Sequence, residues 1–246
     1  MPELSIIILT FNNSRQVTSL LESIFKFYMK ELTDGKLELL VIDNQSSDDT
    51  VKIAREYLQK NNIYKLSTIH VATNPENVGF GSGLNLGMQQ TKAPFVVFIN
   101  PDAQVQDNQL FDMTKLFEEK KIGVIGGKII GTDGKPELSA GRFLNLWSFF
   151  KTNFGVERLG GGGVRFSPVK FQKVDYVSGG FMMVSREKFD EIGGFDKNLF
   201  MYVEDMELCF RMQKKGFEAY FYPDAVIKHE KHGSSSKAFA IVNIYK

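Results

Sequence analysis

The stretch "LSIIILTFNNSRQVTSLLESIFKFYMKELTDGKLELLVIDN", residues 4–44, places one amphipathic segment between two apolar runs. The runs at 4–11 and 37–44 are short and rich in β-branched residues, a composition typical of buried strands. Between them, apolar residues recur at three- and four-residue spacing over 17–25, which predicts a helix with one buried face and Ser14 as its N-cap. The stretch therefore predicts a βαβ unit, the repeating unit of a parallel sheet.

The same alternation continues along the chain. Further apolar runs occupy 67–74, 93–100 and 122–130, and amphipathic segments occupy 48–60, 81–92 and 108–121. Asp48 or Asp49 is the expected N-cap of the second helix. We therefore expect an α/β fold in which helices flank a mostly parallel sheet.

The composition is that of a folded chain without a nucleic-acid partner. The 246 residues are 43% hydrophobic, and 30 basic against 29 acidic residues give a net charge of +1. This balance provides no basic patch for nucleic acid and no polybasic membrane segment. The single cysteine, Cys209, excludes an internal disulfide framework, and its apolar helical setting predicts packing rather than catalysis.

Polar side chains follow the predicted strands at the points where the strands end. In a doubly wound sheet, ligands bind outside the carboxyl ends of the strands. Asn and Asp also favour turns, which explains part of this pattern, but their density at one edge favours a site for a polar ligand. The first strand ends at Thr10, Phe11 and Asn12, the second at Asp43 and Asn44, the third at Asn74, and the fourth at Asn100 and Asp102, so all four ends include Asn or Asp.

The segment "NPENVGFGSGLNLGM", residues 74–88, is rich in glycine and follows the third strand. Its glycines permit close approach of the backbone to a ligand, and Asn77 and Asn85 add amide groups. It is not the dinucleotide-binding motif, because that motif follows the first strand, where "TFNNSRQ", residues 10–16, has no glycine. A Walker loop is also absent from the sequence.

Two further motifs argue against a phosphate loop and a zinc site. The four glycines at 160–163 predict a flexible loop, with a substrate lid as the functional alternative. "HEKHG", residues 229–233, does not have the zinc-protease spacing, and the chain has only three histidines.

Three carboxylates, Glu204, Asp205 and Glu207, open a predicted helix. Carboxylates interact favourably with the helix dipole there, which alone would explain them as surface residues. Four apolar residues at 200–203 precede them without a polar break. We therefore expect at least one of the carboxylates to face an enclosed space.

Seven segments share their order with a known family: "IIILTFN", "VIDNQSSDDT", "NVGFGSGLNLG", "FINPD", "VSGGFMMVSREKFDEIGGFD", "YVEDMELCFR" and "YPDAVIKHEKHGSS". With them, the chain resembles inverting glycosyltransferases of family 2 with the GT-A fold, most closely the rhamnosyltransferase-type branch. The resemblance extends from residue 4 to about residue 236. It implies one Rossmann-like GT-A domain, 1–246, with a nucleotide-sugar-binding half at 1–105 and an acceptor-binding, catalytic half at 106–246.

The resemblance implies a nucleotide diphosphate sugar as donor and a divalent ion, Mn²⁺ or Mg²⁺, that bridges its phosphates. Asn100, Pro101 and Asp102 stand where the family commonly has Asp-x-Asp, so Asp102 is implied as a metal ligand and Asn100 replaces the first carboxylate. His229 matches a downstream metal-binding histidine, and His232 is the less favoured ligand. A carboxylate, an imidazole and phosphate oxygens suit either ion.

The resemblance also implies roles for other residues. Asp205 matches the general base, which takes the proton of the acceptor hydroxyl. Asp43 matches the carboxylate that receives a pyrimidine base. Nucleotide-sugar contacts are implied for Thr10, Phe11, Asn12, Asp43, Asn77, Gly79, Asn85, Asn100 and Asp102, and acceptor or supporting contacts for Ser178, Gly179, Gly180 and Glu204.

The resemblance implies a metal-dependent inverting transfer of rhamnose from dTDP-rhamnose to a saccharide or lipid-linked saccharide in cell-surface polysaccharide synthesis. A UDP-sugar donor is the alternative within the family. Replacement of a carboxylate by Asn100 favours a second alternative, a nucleotide- or carbohydrate-binding module without turnover. A sugar-nucleotide pyrophosphorylase is disfavoured, because "TFNNSRQ" offers only Arg15 and no glycine.

The sequence predicts a cytoplasmic protein, because the N-terminal apolar run has no basic flank and is about half as long as a signal core. Peripheral contact with the inner face of the cell membrane and a homodimer remain open. Trp147 and its aromatic neighbours at 141–154 suit a core, a bilayer or a subunit interface equally. The branch often has a further helical region beyond the point reached by Lys246, so a compact member or a shortened chain is expected.

Overall fold

The first half of the chain folds into the alternating elements that its apolar pattern predicts. The structure is a computed structural model and describes residues 1–119, 121–143 and 165–230. The elements are β1 (Leu4–Thr10), α1 (Val17–Thr33), β2 (Leu37–Asp43), α2 (Thr50–Lys60), β3 (Ile69–Thr73), α3 (Phe80–Gln89) and β4 (Phe95–Ile99).

The second half contains shorter strands and helices. They are β5 (Ala103–Val105), α4 (Leu110–Lys115), β6 (Ile122–Ile130), β7 (Ala140–Gly141), β8 (Arg165–Phe166), β9 (Gln172–Val174), β10 (Tyr176–Val177), β11 (Phe181–Ser185), α5 (Arg186–Glu191), α6 (Glu204–Lys214) and β12 (Glu218–His229). The predicted helix at 108–121 is interrupted, because α4 ends at Lys115 and a 3₁₀ turn follows at 116–118.

One large sheet joins the two halves. Among the described residues its strands follow the order β3-β2-β1-β4-β11-β6-β12-β5, with β9 paired to β12, while β10, β7 and β8 form a small separate sheet. As predicted, β1 is parallel to β2 and β4, and β2 is parallel to β3. β11 lies between β4 and β6 and is antiparallel to both. The sheet is therefore mixed, and the strand at 122–130 does not extend the parallel pairing of β4.

Both faces of the sheet are buried. Ile6 and Ile8 of β1 pack in one hydrophobic cluster with α1, whereas Ile7 and Leu9 pack in another with α3. Alternate residues of a strand face opposite sides, so a strand covered on both sides reads as a continuous apolar run. Several aromatic side chains of the second half, Phe181, Phe195 and Phe221 among them, are fully buried in these clusters.

The helix starts differ in one respect from the sequence prediction. The N-cap of α1 is Gln16 rather than Ser14, and the Ser14 amide donates to Asp48 Oδ2 (3.2 Å). The N-cap residue of α2 is Asp49, whose side chain forms no capping hydrogen bond, while Asp48 accepts from the Thr50 amide (3.0 Å). Asp48 thus ties the loop after β1 to the loop after β2.

Among the described residues, every helix falls short of the length and apolar character that a bilayer crossing requires. Three sequence predictions concern residues outside the described ranges. These are the glycine-rich loop at 160–163, the aromatic group around Trp147, and His232.

Candidate functional site

A cavity of about 230 Å³ opens where β1, β2 and β4 end. It is lined by Leu9, Thr10, Phe11, Asn13, Asn44, Asn77, Gly79, Phe80, Asn100, Pro101, Asp102 and Met201. A larger cavity of about 730 Å³ lies at the opposite end of the strands, beside Pro94 and Ser185. None of the predicted site residues line it. Ligands of such sheets bind at the carboxyl ends of the strands, so the smaller cavity is the candidate site.

The loops that follow β1 and β2 hold one another at the rim of this cavity. The Asn12 amide donates to Ser46 Oγ (2.8 Å), and Asn12 Oδ1 accepts from the Ser47 amide (2.9 Å). Asn12 has a φ of +57°, in the left-handed region that asparagine adopts more readily than most residues. The side chain of Asn12 thus secures the rim.

Asp43 lies behind the cavity wall. Its side chain is buried, and Oδ1 accepts hydrogen bonds from Thr10 Oγ1 (2.9 Å) and Ser46 Oγ (2.5 Å). Oδ2 accepts from the Ser46 amide (2.8 Å). A carboxylate that accepts several hydrogen bonds holds its neighbours firmly, so Asp43 fixes both loops. Its contact with a pyrimidine base stays a prediction.

Asn44 is a site residue to which the sequence analysis gave no role. It is buried, and its Nδ2 donates to Asn77 Oδ1 (2.7 Å) and to the Gly79 carbonyl (3.2 Å). Asn74 Nδ2 donates in turn to Asn44 Oδ1 (3.1 Å). This amide network shapes the glycine-rich turn, and it gives a role to Asn44, which the sequence pattern had already placed at the polar end of the second strand.

Asp102 and His229 come together at the edge of the cavity. His229 pairs with Ala103 across the β12–β5 ladder, which brings His229 Nε2 to 2.9 Å from Asp102 Oδ1. His229 Nδ1 lies 3.4 Å from Glu137 Oε2. The hydrogen bond that His229 forms to Asp102, with Glu137 contributing, raises the pKa of His229 against the opposing effect of burial. Glu137 has no motif around it in the sequence, and only the fold reveals it.

Asn100 meets the segment predicted to face the acceptor. The backbone amide of Asn100 donates to the Gly180 carbonyl (3.0 Å). A Cβ on Gly180 would lie 3.0 Å from the side-chain Nδ2 of Asn100. The Gly180 amide donates to Ser178 Oγ (3.3 Å). Glycine at 180 therefore permits the close packing of β4 against the turn at 178–180.

Asp205 is the second residue of α6 and borders the same end of the sheet. Its Oδ2 accepts from the Gly179 amide (3.0 Å), and its Oδ1 accepts from the Met206 amide (2.8 Å). A Cβ on Gly179 would lie 3.3 Å from the ring of Phe80, which lines the cavity. The carboxylate of Asp205 is half-buried and held in one orientation beside the cavity.

Glu204 is the carboxylate that faces an enclosed space, as the sequence predicted for at least one of them. It is 7% exposed, and burial raises its pKa to about 7, with the charge of Asp205 as a smaller cause. The two residues before it, Tyr202 and Val203, have φ of +68° and +62°. This conformation is strained for a β-branched residue such as Val203.

The structure does not bring Asn85 to the cavity. Its side-chain amide donates to the Phe195 carbonyl (2.9 Å) and accepts from the Phe195 amide (3.0 Å). Asn85 was predicted to contact the sugar or the diphosphate, and it lies instead on the side of α3 that packs against the turn at 193–196. Asn85 is half-buried, and because both polar ends of its side chain are bonded to backbone, it connects α3 to this turn.

Asp102 and His229 are the described residues whose arrangement could hold a divalent ion. An oxygen and a nitrogen ligand lie next to each other there, which suits Mn²⁺ or Mg²⁺. Within the described ranges, no group of three or more His, Cys, Asp and Glu residues forms a metal cage. The described residues thus provide two ligands, and the remaining positions would be open to a substrate, to water or to a residue outside the described ranges such as His232.

Residues 5–193 match the family described as glycosyl transferase family 2. The chain belongs to glycosyl transferase family 2. Residues 165–233 also match a family described as the N-terminal domain of galactosyltransferase. The family 2 assignment confirms the expected class of protein.

Several family 2 relatives carry rhamnosyltransferase or hexosyltransferase names. The O-antigen chain rhamnosyltransferase WbaN of Salmonella anatum is 25% identical over 97% of this chain and 70% of its own length. The N-acetylglucosaminyl-diphospho-decaprenol L-rhamnosyltransferase of Mycobacterium tuberculosis is 26% identical over 83% and 70%. The low-salt glycan biosynthesis hexosyltransferase Agl10 of Haloferax volcanii is 23% identical over 87% of this chain and 62% of its own length. These names support the rhamnosyltransferase-type branch of the family.

Solved structures confirm the GT-A fold. The structure of GalNAc-T7 with UDP, GalNAc and Mn²⁺ has a TM-score of 0.71 at 16% identity and covers 95% of this chain. The structure of S. aureus TarS in complex with UDP-GlcNAc has a TM-score of 0.63 at 19% identity and also covers 95%. This chain spans 45% and 59% of those two chains.

Proposed function

We propose that this chain transfers a sugar from a nucleotide diphosphate sugar to a saccharide or lipid-linked saccharide, with inversion at the anomeric carbon. One observation carries the proposal. Asp102 and His229 lie 2.9 Å apart at the cavity edge, and Asp205 and the cavity-lining Phe80 both lie against Gly179. A candidate site for diphosphate and a candidate base thus border the same cavity.

Asp205 acts as the general base in this proposal. As the acceptor oxygen forms its bond to the anomeric carbon, the bond from that carbon to the diphosphate oxygen breaks, and the diphosphate leaves with the electron pair. The Asp205 carboxylate takes the hydroxyl proton, since an un-ionised hydroxyl is a weak nucleophile. The Gly179 amide, 3.0 Å from Asp205 Oδ2, holds the carboxylate in one orientation. A single displacement inverts the configuration of the sugar.

Asp102 and His229 would hold the divalent ion, Mn²⁺ or Mg²⁺. When bound, the ion neutralises charge on the departing diphosphate. Both residues would have to give up the hydrogen bond between them, and His229 would bind as a neutral imidazole. The presence of Mn²⁺ in the structure of GalNAc-T7, a chain with the same fold, supports the use of a divalent ion.

The preferred donor is dTDP-rhamnose. Relatives from Salmonella anatum and Mycobacterium tuberculosis named as rhamnosyltransferases support it. Their names also support an acceptor in cell-surface polysaccharide synthesis. A UDP-sugar donor is the alternative, supported by TarS with bound UDP-GlcNAc.

A nucleotide-binding module without turnover is the second candidate. Asn100 supplies a neutral amide where the family commonly has a carboxylate, which favours this reading because it leaves less negative charge for a cation. The pair formed by Asp102 and His229, together with Asp205 at the same cavity, favours the enzyme.

The deciding experiment incubates the protein with each nucleotide sugar, Mn²⁺ and a panel of polyprenyl-diphosphate-linked saccharides. Release of nucleotide diphosphate is followed, and the anomeric configuration of the product is read by NMR. We expect nucleotide release that depends on the acceptor, and a product of inverted configuration. Tight nucleotide binding without transfer to any acceptor would support the binding module, and a retained configuration would exclude the single displacement.

A further inference from the structure

Asn85 joins two parts of the fold that are 110 residues apart in sequence. Its side chain forms two hydrogen bonds with the backbone of Phe195, one as donor (2.9 Å) and one as acceptor (3.0 Å). These two hydrogen bonds resemble the pair of N–H···O hydrogen bonds that two opposite residues exchange in an antiparallel sheet. Asn85 therefore fastens α3 to the connector, residues 192–203, which leads from α5 to α6.

The contact requires an asparagine on one side and a glycine on the other. Gly194 has a φ of +74°, and a Cβ there would lie 2.6 Å from Asn85 Oδ1. Aspartate has no hydrogen to donate to the Phe195 carbonyl, and alanine reaches neither backbone group. The contact therefore depends on the residue type at both positions, asparagine at 85 and glycine at 194.

The connector is also fixed before and after this point. The ring of Phe195 packs 5.6 Å from that of Phe98 and 5.5 Å from that of Phe189. Five residues later, the Phe200 carbonyl accepts from the Phe80 amide (2.8 Å). The connector is thus attached to α3 at two points, the first turn and Asn85, and α3 is the helix that borders the cavity.

Only three residues separate Phe200 from α6. Met201 lines the cavity, and Tyr202 and Val203 both have positive φ. A strained conformation persists only where its surroundings hold it. The attachments of the connector to α3 therefore determine where α6 begins, and with it the position of Asp205.

We propose that Asn85 is a positioning residue for the transfer reaction. It holds the connector on α3, so that Met201 stays at the cavity and Asp205 stays against Gly179. This inference rests on the proposed function, because it takes Asp205 as the base. It also replaces the expectation that Asn85 contacts the donor.

The test compares Asn85→Asp and Asn85→Ala with Gln89→Ala, an exposed amide on the same helix. We expect both Asn85 variants to lose roughly tenfold or more in kcat, since a catalytic group misplaced by about 1 Å can cost about a hundredfold. The affinity for UDP and dTDP in Mn²⁺, measured by calorimetry, should change by less than about threefold. Hydrogen exchange of the Phe195 and Phe80 amides should become faster, and Gln89→Ala should match the unmodified protein.

A second pair of variants tests the same contact if the Asn85 variants fail to fold. Gly194→Ala places a methyl group against Asn85 Oδ1, whereas Gly193→Ala, with a φ of +80°, meets nothing within 4 Å. We expect Gly194→Ala to lower kcat and to speed exchange in the connector, and Gly193→Ala to do neither to the same extent. In an Asn85→Ala background, Gly194→Ala should add little, because the two changes act on one contact.

Three outcomes would overturn the inference. Weaker nucleotide binding with unchanged exchange in the connector would make Asn85 a ligand contact. Faster exchange with unchanged kcat would show that the connector does not position Asp205, and equal effects from Gln89→Ala would point to α3 as a whole. If the unmodified protein transfers no sugar, the proposed function fails and the catalytic role of Asn85 fails with it, while hydrogen exchange still reports whether Asn85 holds the connector.

Discussion

Three carboxylates of the candidate site have different surroundings and should respond differently to neutralisation. Asp43 is buried and accepts hydrogen bonds from Thr10 and Ser46, so its role in the structure is to fix two loops. Asp102 is paired with His229 at the cavity edge. Asp205 is half-buried and bonded only to backbone amides among its described contacts.

Asp205→Asn should lower turnover by roughly a hundredfold or more, because it removes the general base while keeping the shape of the side chain. Calorimetry should find nucleotide affinity unchanged. Glu207→Gln is the matched control, since Glu207 lies in the same helical turn and pairs with Arg211. Equal turnover in Asp205→Asn and the unmodified protein would move the base to another residue.

His229→Ala should weaken Mn²⁺-assisted donor binding by roughly tenfold or more, the range seen even for residues that only support a metal ligand. His232→Ala should have a smaller effect, and His70→Ala, on β3 away from the cavity, should have none. Calorimetric titration of a nucleotide at several Mn²⁺ concentrations measures this order. A larger loss in His232→Ala would exchange the roles of the two histidines.

Glu204 predicts a pH dependence of stability. A carboxyl group whose pKa is raised to about 7 by burial stabilises the fold only while protonated. Its contribution is complete below the usual value of 4.5 and is lost as the pH rises through about 7. Glu204→Gln, which is neutral at every pH, should therefore be more stable than the unmodified protein at pH 8.5, by at most roughly 3 kcal/mol.

Urea unfolding of both proteins at pH 5 and pH 8.5 checks this prediction. The advantage of Glu204→Gln should shrink or vanish at pH 5. A variant that is less stable at both pH values would mean that Glu204 forms a necessary hydrogen bond in its ionised form.

At the scale of elements, the sequence predicts the first half of the fold better than the second. β1 to β4 and the helices between them are visible because buried strands and amphipathic helices leave local periodic patterns. The insertion of β11 between β4 and β6 has no local pattern, because strand order depends on contacts between distant segments. The contact between Asn85 and Phe195 has no local pattern for the same reason, since the two residues are 110 positions apart.

The start of α3 allows a test of the close approach between two loops. Gly79 has a φ of +87°, and a Cβ there would lie 2.3 Å from the Phe200 carbonyl oxygen. Gly35 has a φ of +74° and meets nothing within 4 Å. Gly35→Ala should cost about 1 kcal/mol of unfolding free energy from the backbone conformation alone, and Gly79→Ala should cost at least twice as much.

Urea denaturation of the two variants gives the comparison. Because both changes add one methyl group at a positive φ, the difference between them measures the contact with Phe200. Equal costs would show that the connector can move away from Gly79 without a penalty.

At the scale of the whole molecule, the two proposed halves share one sheet. β1 to β4 come from residues 1–105, whereas β6, β11 and β12 come from 106–246, and the site lies where the two sets meet. His229 of the second half and Asp102 of the first form one of the contacts that join the two halves at the cavity. The family resemblance implied this meeting, because it assigned Asp102 and His229 to one metal site, whereas the polar strand ends seen in the sequence all lie within residues 1–105.

Four expectations stay predictions: the division into two functional halves, the cytoplasmic location, the peripheral membrane contact and the homodimer. Each concerns surfaces or partners beyond the cavity. The chain spans 62% to 70% of the length of the three relatives named above. The acceptor is a property of a whole protein, so it also stays a proposal.

The most direct test of the central claim is calorimetric titration of the protein with dTDP-rhamnose, UDP-glucose, UDP-galactose and GDP-mannose. Each titration is made with Mn²⁺, with Mg²⁺ and with chelator, and repeated with Asp102→Ala. We predict tight binding of one donor, dTDP-rhamnose first, that is lost with chelator and in Asp102→Ala. Tight binding that persists with chelator and in the variant would contradict the metal site at Asp102 and His229, and binding of none of the four would contradict the nucleotide-sugar site.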